Sequence, residues 1–296
     1  MLQDALPAWF TRAVSFPFEK RDLAVAGCAI RYLAWGDADK PPLVLVHGGA
    51  AHAMWWSVHA CELARHYYVI APDLSGHGDS GRRDSYPMET WAEEVMAVGE
   101  HAAPGRPPVL VGHSMGGLVS IVAAALYGAE RLAGAIIVDS PVRRPDPESV
   151  EGKGGTAFRN PKTYPDFETA CAHFRLIPEQ PCEHRFILDH IARHSLHKTA
   201  EGWTWKFDPR VVVRVSTTSM RDYLARVRCR VALMRGEFSV IVPPETGEYM
   251  YELLNRNAPL VEIPQAHHHL ILDQPLAFIA ALRALLTDWE HSLPRR

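Results

Sequence analysis

The feature that most constrains this 296-residue chain is the hexapeptide Gly112-His113-Ser114-Met115-Gly116-Gly117. An apolar run at residues 108–111 precedes it, and an alanine-rich run of good helix formers at 118–127 follows. This pattern predicts a strand, a five-residue G-x-S-x-G turn and a helix. A serine on so tight a turn takes strained backbone angles between crowded neighbours, so Gly112 and Gly116 must lack side chains. The turn is expected to present the Ser114 hydroxyl at the helix N-terminus, where backbone N–H groups favour developing negative charge.

Strand and helix patterns alternate along most of the chain, which predicts an α/β fold with a mostly parallel, doubly wound sheet. Between residues 142 and 227 this rhythm gives way to amphipathic helical patterns and a dense aromatic segment at 202–209. We therefore expect a core formed by residues 1–141 and 228–296. Residues 142–227 are expected to form a helical cap insertion over the carboxyl edge of the sheet, where α/β sheets bind ligands.

Composition excludes several classes of protein. A net charge of −3 with mixed signs does not indicate a basic surface for binding nucleic acid or an anionic membrane. No apolar run reaches the roughly 18 residues of a membrane span, and the first residues show no basic segment before an apolar one. Five cysteines are scattered without a C-x-x-C pair, which is typical of free thiols in a reducing compartment. A cytoplasmic protein is expected.

Four stretches together carry a resemblance to a known family: His47-Gly48-Gly49, residues 73–80, the hexapeptide around Ser114, and the histidines at 267–269. At these stretches the chain resembles the α/β-hydrolase superfamily, and within it the capped serine hydrolases of esterase type. The resemblance covers nearly the whole chain. It implies a catalytic triad in the chain order serine, acid, histidine, with Ser114 as the nucleophile.

The base implied by the resemblance is a histidine near the C-terminus, and His267, His268 and His269 are the candidates. The family places this histidine seven residues before the proline that opens the last helix, and counting back from Pro275 gives His268. Its expected role is to take the Ser114 proton and return it to the leaving group. The alternative is that all three histidines are solvated loop residues.

The acid is less well defined. Its commonest site in the family follows the strand predicted at 230–234, three residues beyond that strand's glycine, and here Ser239 stands there. A hydroxyl cannot stabilise an imidazolium as a carboxylate does. Some members place the acid after the preceding strand, where this chain has Asp139, so Asp139 is favoured. Glu237 stays open as the alternative, as do another carboxylate or water, and so does a purely structural role for Asp139 in holding loop amides.

The resemblance implies an oxyanion hole formed by the backbone N–H groups of Gly49 and Met115. Trp55, Trp203 and Trp205 are candidate substrate-binding residues, because their rings could line an apolar acyl pocket; packing within core or cap is the alternative. The run of three histidines has no HExxH pattern and no suitably spaced carboxylate, so no metal site is predicted. The expected chemistry needs no cofactor.

These features favour a serine hydrolase that cleaves a small carboxylic ester through an acyl-enzyme on Ser114. A C–C bond hydrolase, a thioesterase, an amidase or an acyltransferase would use the same residues. A ligand-binding receptor with slow turnover is the alternative from another class. The expected partner is a small-molecule substrate, not nucleic acid or membrane, and a homodimer stays open.

Overall fold

The computed structural model describes residues 6–145, 161–212 and 219–292. The ten strands of these residues are β1 (Glu19–Val25), β2 (Cys28–Trp35), β3 (Pro42–Val46), β4 (Tyr68–Pro72), β5 (Val109–His113), β6 (Gly134–Val138), β7 (Leu196–Thr199), β8 (Gly202–Trp205), β9 (Arg230–Gly236) and β10 (Leu260–Ile263). The α-helices are α1 (Ala8–Val14), α2 (Ser57–Leu63), α3 (Met88–Ala102), α4 (Met115–Arg131), α5 (Phe167–Ala172), α6 (Arg185–His194), α7 (Met220–Ala225), α8 (Pro244–Leu253), α9 (Leu270–Asp273) and α10 (Pro275–His291).

Eight strands form one sheet in the order β1-β2-β4-β3-β5-β6-β9-β10. The β1–β2 hairpin and the β2–β4 pair are antiparallel, whereas every other pairing in this sheet is parallel. Since β5, β6 and β9 are adjacent and parallel, the loops that follow them leave from the same edge of the sheet. This edge brings together residues that are far apart in the sequence.

Helices cover both faces of the sheet, which explains why the sequence of β3 is apolar throughout. All five residues of this central strand are buried. Val44 and Val46 belong to the apolar cluster that contains Trp91 of α3, whereas Leu43 and Leu45 belong to the cluster that contains Phe278 of α10. Each fully buried aliphatic side chain of this kind contributes roughly 2 kcal/mol. The predicted doubly wound, mostly parallel sheet is confirmed.

The chain between β6 and β9 contains α5, α6, α7 and a two-stranded sheet of β7 and β8. The expectation of a purely helical insertion was incomplete, because residues 196–205 form an antiparallel hairpin. Alternating Thr and Trp side chains and a glycine at φ +136° at position 202 suit a hairpin better than a helix. Residues 146–160 and 213–218 of the expected cap lie outside the described residues, and the boundaries 142–227 stay a prediction.

Backbone hydrogen bonds join this insertion to the core beside the β4 loop. The Gly78 N–H donates to the Lys206 carbonyl at 2.8 Å, and the Asp208 N–H donates to the Gly76 carbonyl at 2.7 Å. Tyr86 adds a side-chain link, because its hydroxyl donates to the Asp208 carboxylate at 2.9 Å. Among the helices of the described residues, none has both the length and the apolarity to cross a membrane.

Candidate active site

Ser114 occupies a strained turn between β5 and α4. Its backbone angles are φ 55° and ψ −120°, which few residues other than glycine adopt. A Cβ atom on Gly112 would lie 2.2 Å from the Gly116 carbonyl oxygen, and one on Gly116 would lie 2.3 Å from the Val46 carbonyl oxygen. Both distances are far inside van der Waals contact. The expectation that neither glycine tolerates a side chain is confirmed.

His268 is the histidine of the 267–269 run that contacts Ser114. It lies between β10 and α9, and its Nε2 is 3.0 Å from Ser114 Oγ. On the other side of the ring, Nδ1 lies 2.7 Å from Asp139 Oδ2. Because a carboxylate only accepts, Nδ1 carries the proton and Nε2 offers its lone pair to the serine hydroxyl. This is the tautomer that a general base for Ser114 needs.

Asp139 is the carboxylate that reaches His268. It follows β6 directly, has φ 47°, and is completely buried. Its Oδ1 accepts from the Gly236 N–H at 3.0 Å, while its own N–H donates to the Met234 carbonyl at 2.8 Å. Contacts to β9 therefore hold Asp139 through both its backbone and its side chain.

Glu237 does not share this position. Its side chain is exposed, and its carboxylate accepts from the Gln265 backbone N–H at 2.8 Å. Ser239, two residues further on, is buried and donates its hydroxyl hydrogen to Asp139 Oδ2 at 2.6 Å. From the sequence, position 239 was noted only as the family's commonest place for the acid, and no role was predicted for the Ser239 hydroxyl. The signal that could have pointed to one is that the residue at this position is polar.

Two further histidines pack around His268. The His113 Nε2–H donates to the His268 carbonyl at 2.9 Å, and the His269 ring donates to the Ile177 carbonyl at 3.2 Å. Burial, reinforced by the neighbouring His268, lowers the pKa of His113 to about 3 and that of His269 well below its usual range. Both rings are therefore neutral near pH 7 and bring no positive charge next to His268.

The same three rings have the spacing of a metal site. His113, His268 and His269 each offer a ring nitrogen, and these atoms lie within 4.8 Å of one another. Both nitrogens of His268 are already hydrogen-bonded, to Ser114 and to Asp139. A metal ion bound through His268 would have to displace one of these partners.

The loop after β3 brings Gly48 and Gly49 against the Ser114 turn. A Cβ atom on Gly48 would lie 3.2 Å from that of Ser114, and one on Gly49 would lie 3.8 Å from the sulfur of Met115. Within the described parts of the chain, the N–H groups of Gly49 and Met115 donate to no protein acceptor. Two backbone donors on adjacent segments are thus available for an oxygen near Ser114.

A buried histidine sets the path of this glycine loop. The Leu74 N–H donates to His47 Nε2 at 3.0 Å, so the proton is on Nδ1, which donates to the Gly48 carbonyl at 2.7 Å. Burial lowers the pKa of His47 to about 4, which keeps this neutral tautomer near pH 7. Asp73 holds the far end of the loop by accepting from the Ala53 N–H at 2.7 Å.

A cavity of about 260 Å³ opens beside the glycine loop, between the residues that follow α5 and strand β8. Its lining combines aromatic rings, Trp55, Phe174, Trp205 and Phe207 among them, with Gly49, His269 and the basic residues Lys162 and Arg175. Two of the three predicted tryptophans, Trp55 and Trp205, therefore face this space. Trp203 is not among the lining residues; its ring packs edge-on against Phe167 with 4.9 Å between ring centroids.

A serine on a strand–turn–helix at the carboxyl edge of a parallel sheet, joined through a histidine to a buried carboxylate, defines the class of α/β hydrolases. Consistent with this, the chain belongs to the Alpha/beta hydrolase family, whose model matches residues 43–282. It is therefore a hydrolase of that family.

Several relatives carry esterase names. Probable protein phosphatase methylesterase 1 of Caenorhabditis elegans is 25% identical over 264 residues, which cover 79% of this chain and 71% of that protein. Protein phosphatase methylesterase 1 of Mus musculus is 31% identical over 147 residues, 45% of this chain but only 36% of the mouse protein. Among solved structures, E-2-(acetamidomethylene)succinate hydrolase aligns with a TM-score of 0.80 over 92% of this chain and 100% of that one. At 19% identity, this last similarity shows the fold alone.

Proposed function

We propose that the protein is a serine hydrolase that cleaves a small carboxylic ester through an acyl-enzyme on Ser114. The observation that carries the proposal is the continuous hydrogen-bonded series from Ser114 Oγ through His268 to Asp139, with separations of 3.0 and 2.7 Å. Such a series lets a serine hydroxyl lose its proton as it attacks a carbonyl carbon. Esterase-named relatives support the choice of an ester.

In the proposed reaction, Ser114 Oγ attacks the ester carbonyl carbon while its proton passes to His268 Nε2. The protonated ring then gives this proton to the departing alcohol, and Asp139 stabilises the imidazolium between the two steps. A water molecule, deprotonated by the same nitrogen, attacks the acyl carbon; the bond from that carbon to Ser114 Oγ breaks, Oγ takes the proton back from His268, and the acid is released. Ser114, His268 and water carry all the proton transfers, so the proposed reaction uses no cofactor.

Negative charge develops on the substrate's carbonyl oxygen during both attacks. The N–H groups of Gly49 and Met115 are the proposed donors to this oxygen, and loss of one such donor typically costs about 3 kcal/mol of barrier. Gly49 also lines the cavity. In the proposed complex, the substrate's oxygen binds these donors and its acyl group lies next to Trp55 and Trp205, the proposed substrate-binding residues.

The test combines covalent labelling with a substrate panel. We expect a fluorophosphonate to label the wild-type protein on Ser114 and to stop turnover of p-nitrophenyl and methyl esters. Ser114→Ala should keep the fold, judged by circular dichroism, but lose labelling and lower kcat by about 10⁶-fold, as nucleophile loss does in other serine hydrolases.

The panel also separates the alternatives. Matched thioesters, amides and β-diketones test for thioesterase, amidase and C–C hydrolase activity, and an added alcohol tests for acyl transfer. Stoichiometric labelling without measurable turnover of any substrate would favour a slow binding receptor. An active Ser114→Ala variant would contradict the serine mechanism itself.

A further inference from the structure

The hydroxyl of Ser239 makes three hydrogen bonds, and their directions follow from simple donor counting. Its oxygen accepts from the backbone N–H groups of Ile241 at 3.2 Å and Val242 at 3.1 Å. A hydroxyl has two acceptor positions and one hydrogen. With both acceptor positions in use, the hydrogen is left for Asp139 Oδ2, which lies 2.6 Å away. The direction of this donor is therefore set by the loop and not by free rotation of the hydroxyl.

The loop that carries Ser239 is itself held by a buried arginine. Arg235 is 2% exposed, and its guanidinium donates to the carbonyls of Val242 at 2.9 Å and Glu237 at 3.1 Å. The Ser239 N–H donates to the Gly236 carbonyl at 3.1 Å, which closes a tight turn directly after β9. These bonds tie residues 236–242 to the end of a sheet strand, so Ser239 has a rigid support.

Asp139 is consequently clamped through both of its oxygens. The Gly236 N–H donates to Oδ1 and the Ser239 hydroxyl donates to Oδ2, so rotation of the carboxylate would break one bond or the other. Oδ2 is also the oxygen that accepts from His268. The clamp therefore determines where the acceptor for the histidine ring lies.

We propose that Ser239 is a positioning residue that holds Asp139 Oδ2 in line with His268. This inference rests on the proposed function for its effect on turnover, but not for the contact itself. Ser239 and Asp139 follow the adjacent strands β9 and β6, and the Ser239 hydroxyl and the His268 ring both bond to the same oxygen, Asp139 Oδ2. It follows that a carboxylate placed at position 239 should reach His268 Nδ1 when Asp139 no longer supplies one.

The first experiment compares Ser239→Ala with Ser239→Thr, which keeps the hydroxyl. A hydrogen bond to a charged group corresponds to a roughly 10- to 100-fold effect, so we expect Ser239→Ala to lower kcat by about that factor, with KM little changed. Ser239→Thr should recover most of the activity. Ser57→Ala removes another buried serine hydroxyl, one that donates to the Met54 carbonyl at 2.8 Å and also lies 2.9 Å from His190 Nε2, and serves as the matched control for packing.

A spectroscopic readout separates positioning from general stability. The proton shared between His268 Nδ1 and Asp139 should give a far-downfield ¹H resonance in the wild-type protein without any substrate. We expect this resonance to shift or broaden in Ser239→Ala and to persist in Ser239→Thr and Ser57→Ala. A Ser239→Ala protein with wild-type kcat and an unaltered resonance would overturn the inference. Since the resonance needs no turnover, it tests the contact even if the proposed function fails.

A double variant provides a test that does not depend on the Ser239→Ala protein being folded. In the Asp139→Asn background, adding Ser239→Asp should raise kcat at least about tenfold above that of Asp139→Asn alone, because the new carboxylate replaces the missing partner of His268. Recovery would support the shared position of the two side chains. A folded double variant no more active than Asp139→Asn would contradict it.

Discussion

The carboxyl edge of the sheet and the segment inserted between β6 and β9 hold their side chains in different ways. At the sheet edge, Asp139 has three protein donors on its two oxygens, and it is fully buried. In the insertion, Trp203 and Trp205 are half-buried and are positioned by ring packing against Phe167 and Phe174. Directional bonds to strand ends define where atoms lie within tenths of an ångström, whereas ring packing defines the shape of a space. Changes in the first region should therefore affect the rate for every substrate, and changes in the second should affect the choice among substrates.

The largest expected effect tests the sheet edge. Asp139→Asn keeps the shape of the side chain but removes the charge and replaces one of the two acceptor oxygens with an NH2 donor, so the His268 tautomer is no longer held. We expect the fold to persist and kcat to fall by about 10⁴-fold for all esters alike, as the corresponding substitution does in trypsin. Steady-state kinetics on the ester panel, with circular dichroism as a check on folding, measure it.

Glu237→Gln is the matched control, because it makes the same chemical change two residues from Ser239. Its carboxylate is exposed and contacts the Gln265 N–H, so kcat should stay within about twofold of wild type, as is usual for surface changes. If Glu237→Gln lost activity and Asp139→Asn did not, the assignment of the acid would have to be exchanged. Two active variants would indicate a Ser–His pair that works without a carboxylate.

A smaller effect, on specificity, is expected in the insertion. Trp205→Ala enlarges the cavity beside Gly49, so the ratio of kcat/KM between bulky and short acyl esters should change by about tenfold. Trp203→Ala removes the same side chain from the same strand, but its ring packs on Phe167 and does not line the cavity. It should lower the melting temperature and leave the ratio unchanged. Equal changes in this ratio for the two variants would contradict the assignment of Trp205 to the cavity and of Trp203 to packing.

The smallest expected effect is on the pH dependence of stability, and it compares a buried histidine of the core with an exposed histidine of the insertion. Burial lowers the pKa of His59 to about 4, whereas the unfolded chain protonates this ring near pH 6.5. Below pH 6.5 the unfolded state therefore binds a proton that the folded state refuses, and stability falls as the pH falls towards 4. For one such histidine the free energy of unfolding should drop by about 2 kcal/mol between pH 7 and pH 5.

Urea unfolding at the two pH values measures this difference. His59→Gln can still donate to the Ile271 carbonyl, which accepts from His59 at 2.8 Å, and it should remove that part of the pH dependence. His173→Gln changes an exposed histidine of the insertion and should leave the dependence intact. A pH dependence in His59→Gln equal to that of the wild-type protein would show that His59 does not resist protonation in the folded state.

Much of the architecture could be predicted from short stretches of sequence. The strand, turn and helix around Ser114 follow from local periodicity and from two glycines that no other residue can replace. The resemblance to the α/β-hydrolase superfamily distinguished His268 from its two neighbours, through the spacing from Pro275 that the family keeps, and the structure places that histidine against Ser114. The catalytic roles of these residues stay predictions, which the variants above address.

The sequence by itself determined the parallel sheet and the turn at Ser114, because both depend on residues close together in the chain, whose period and steric demands are local. The chain order of the candidate partners of Ser114 was implied by the resemblance to the α/β-hydrolase superfamily. Only the tertiary structure decided that Asp139 and not Glu237 reaches His268, that Ser239 donates to that carboxylate, and that Trp205 but not Trp203 lines the cavity. Asp139 and His268 are 129 residues apart, and their 2.7 Å contact exists only because β6, β9 and β10 end side by side. A separation of a few ångströms between such distant residues is set by strand register and loop paths across the whole sheet, which no local pattern records.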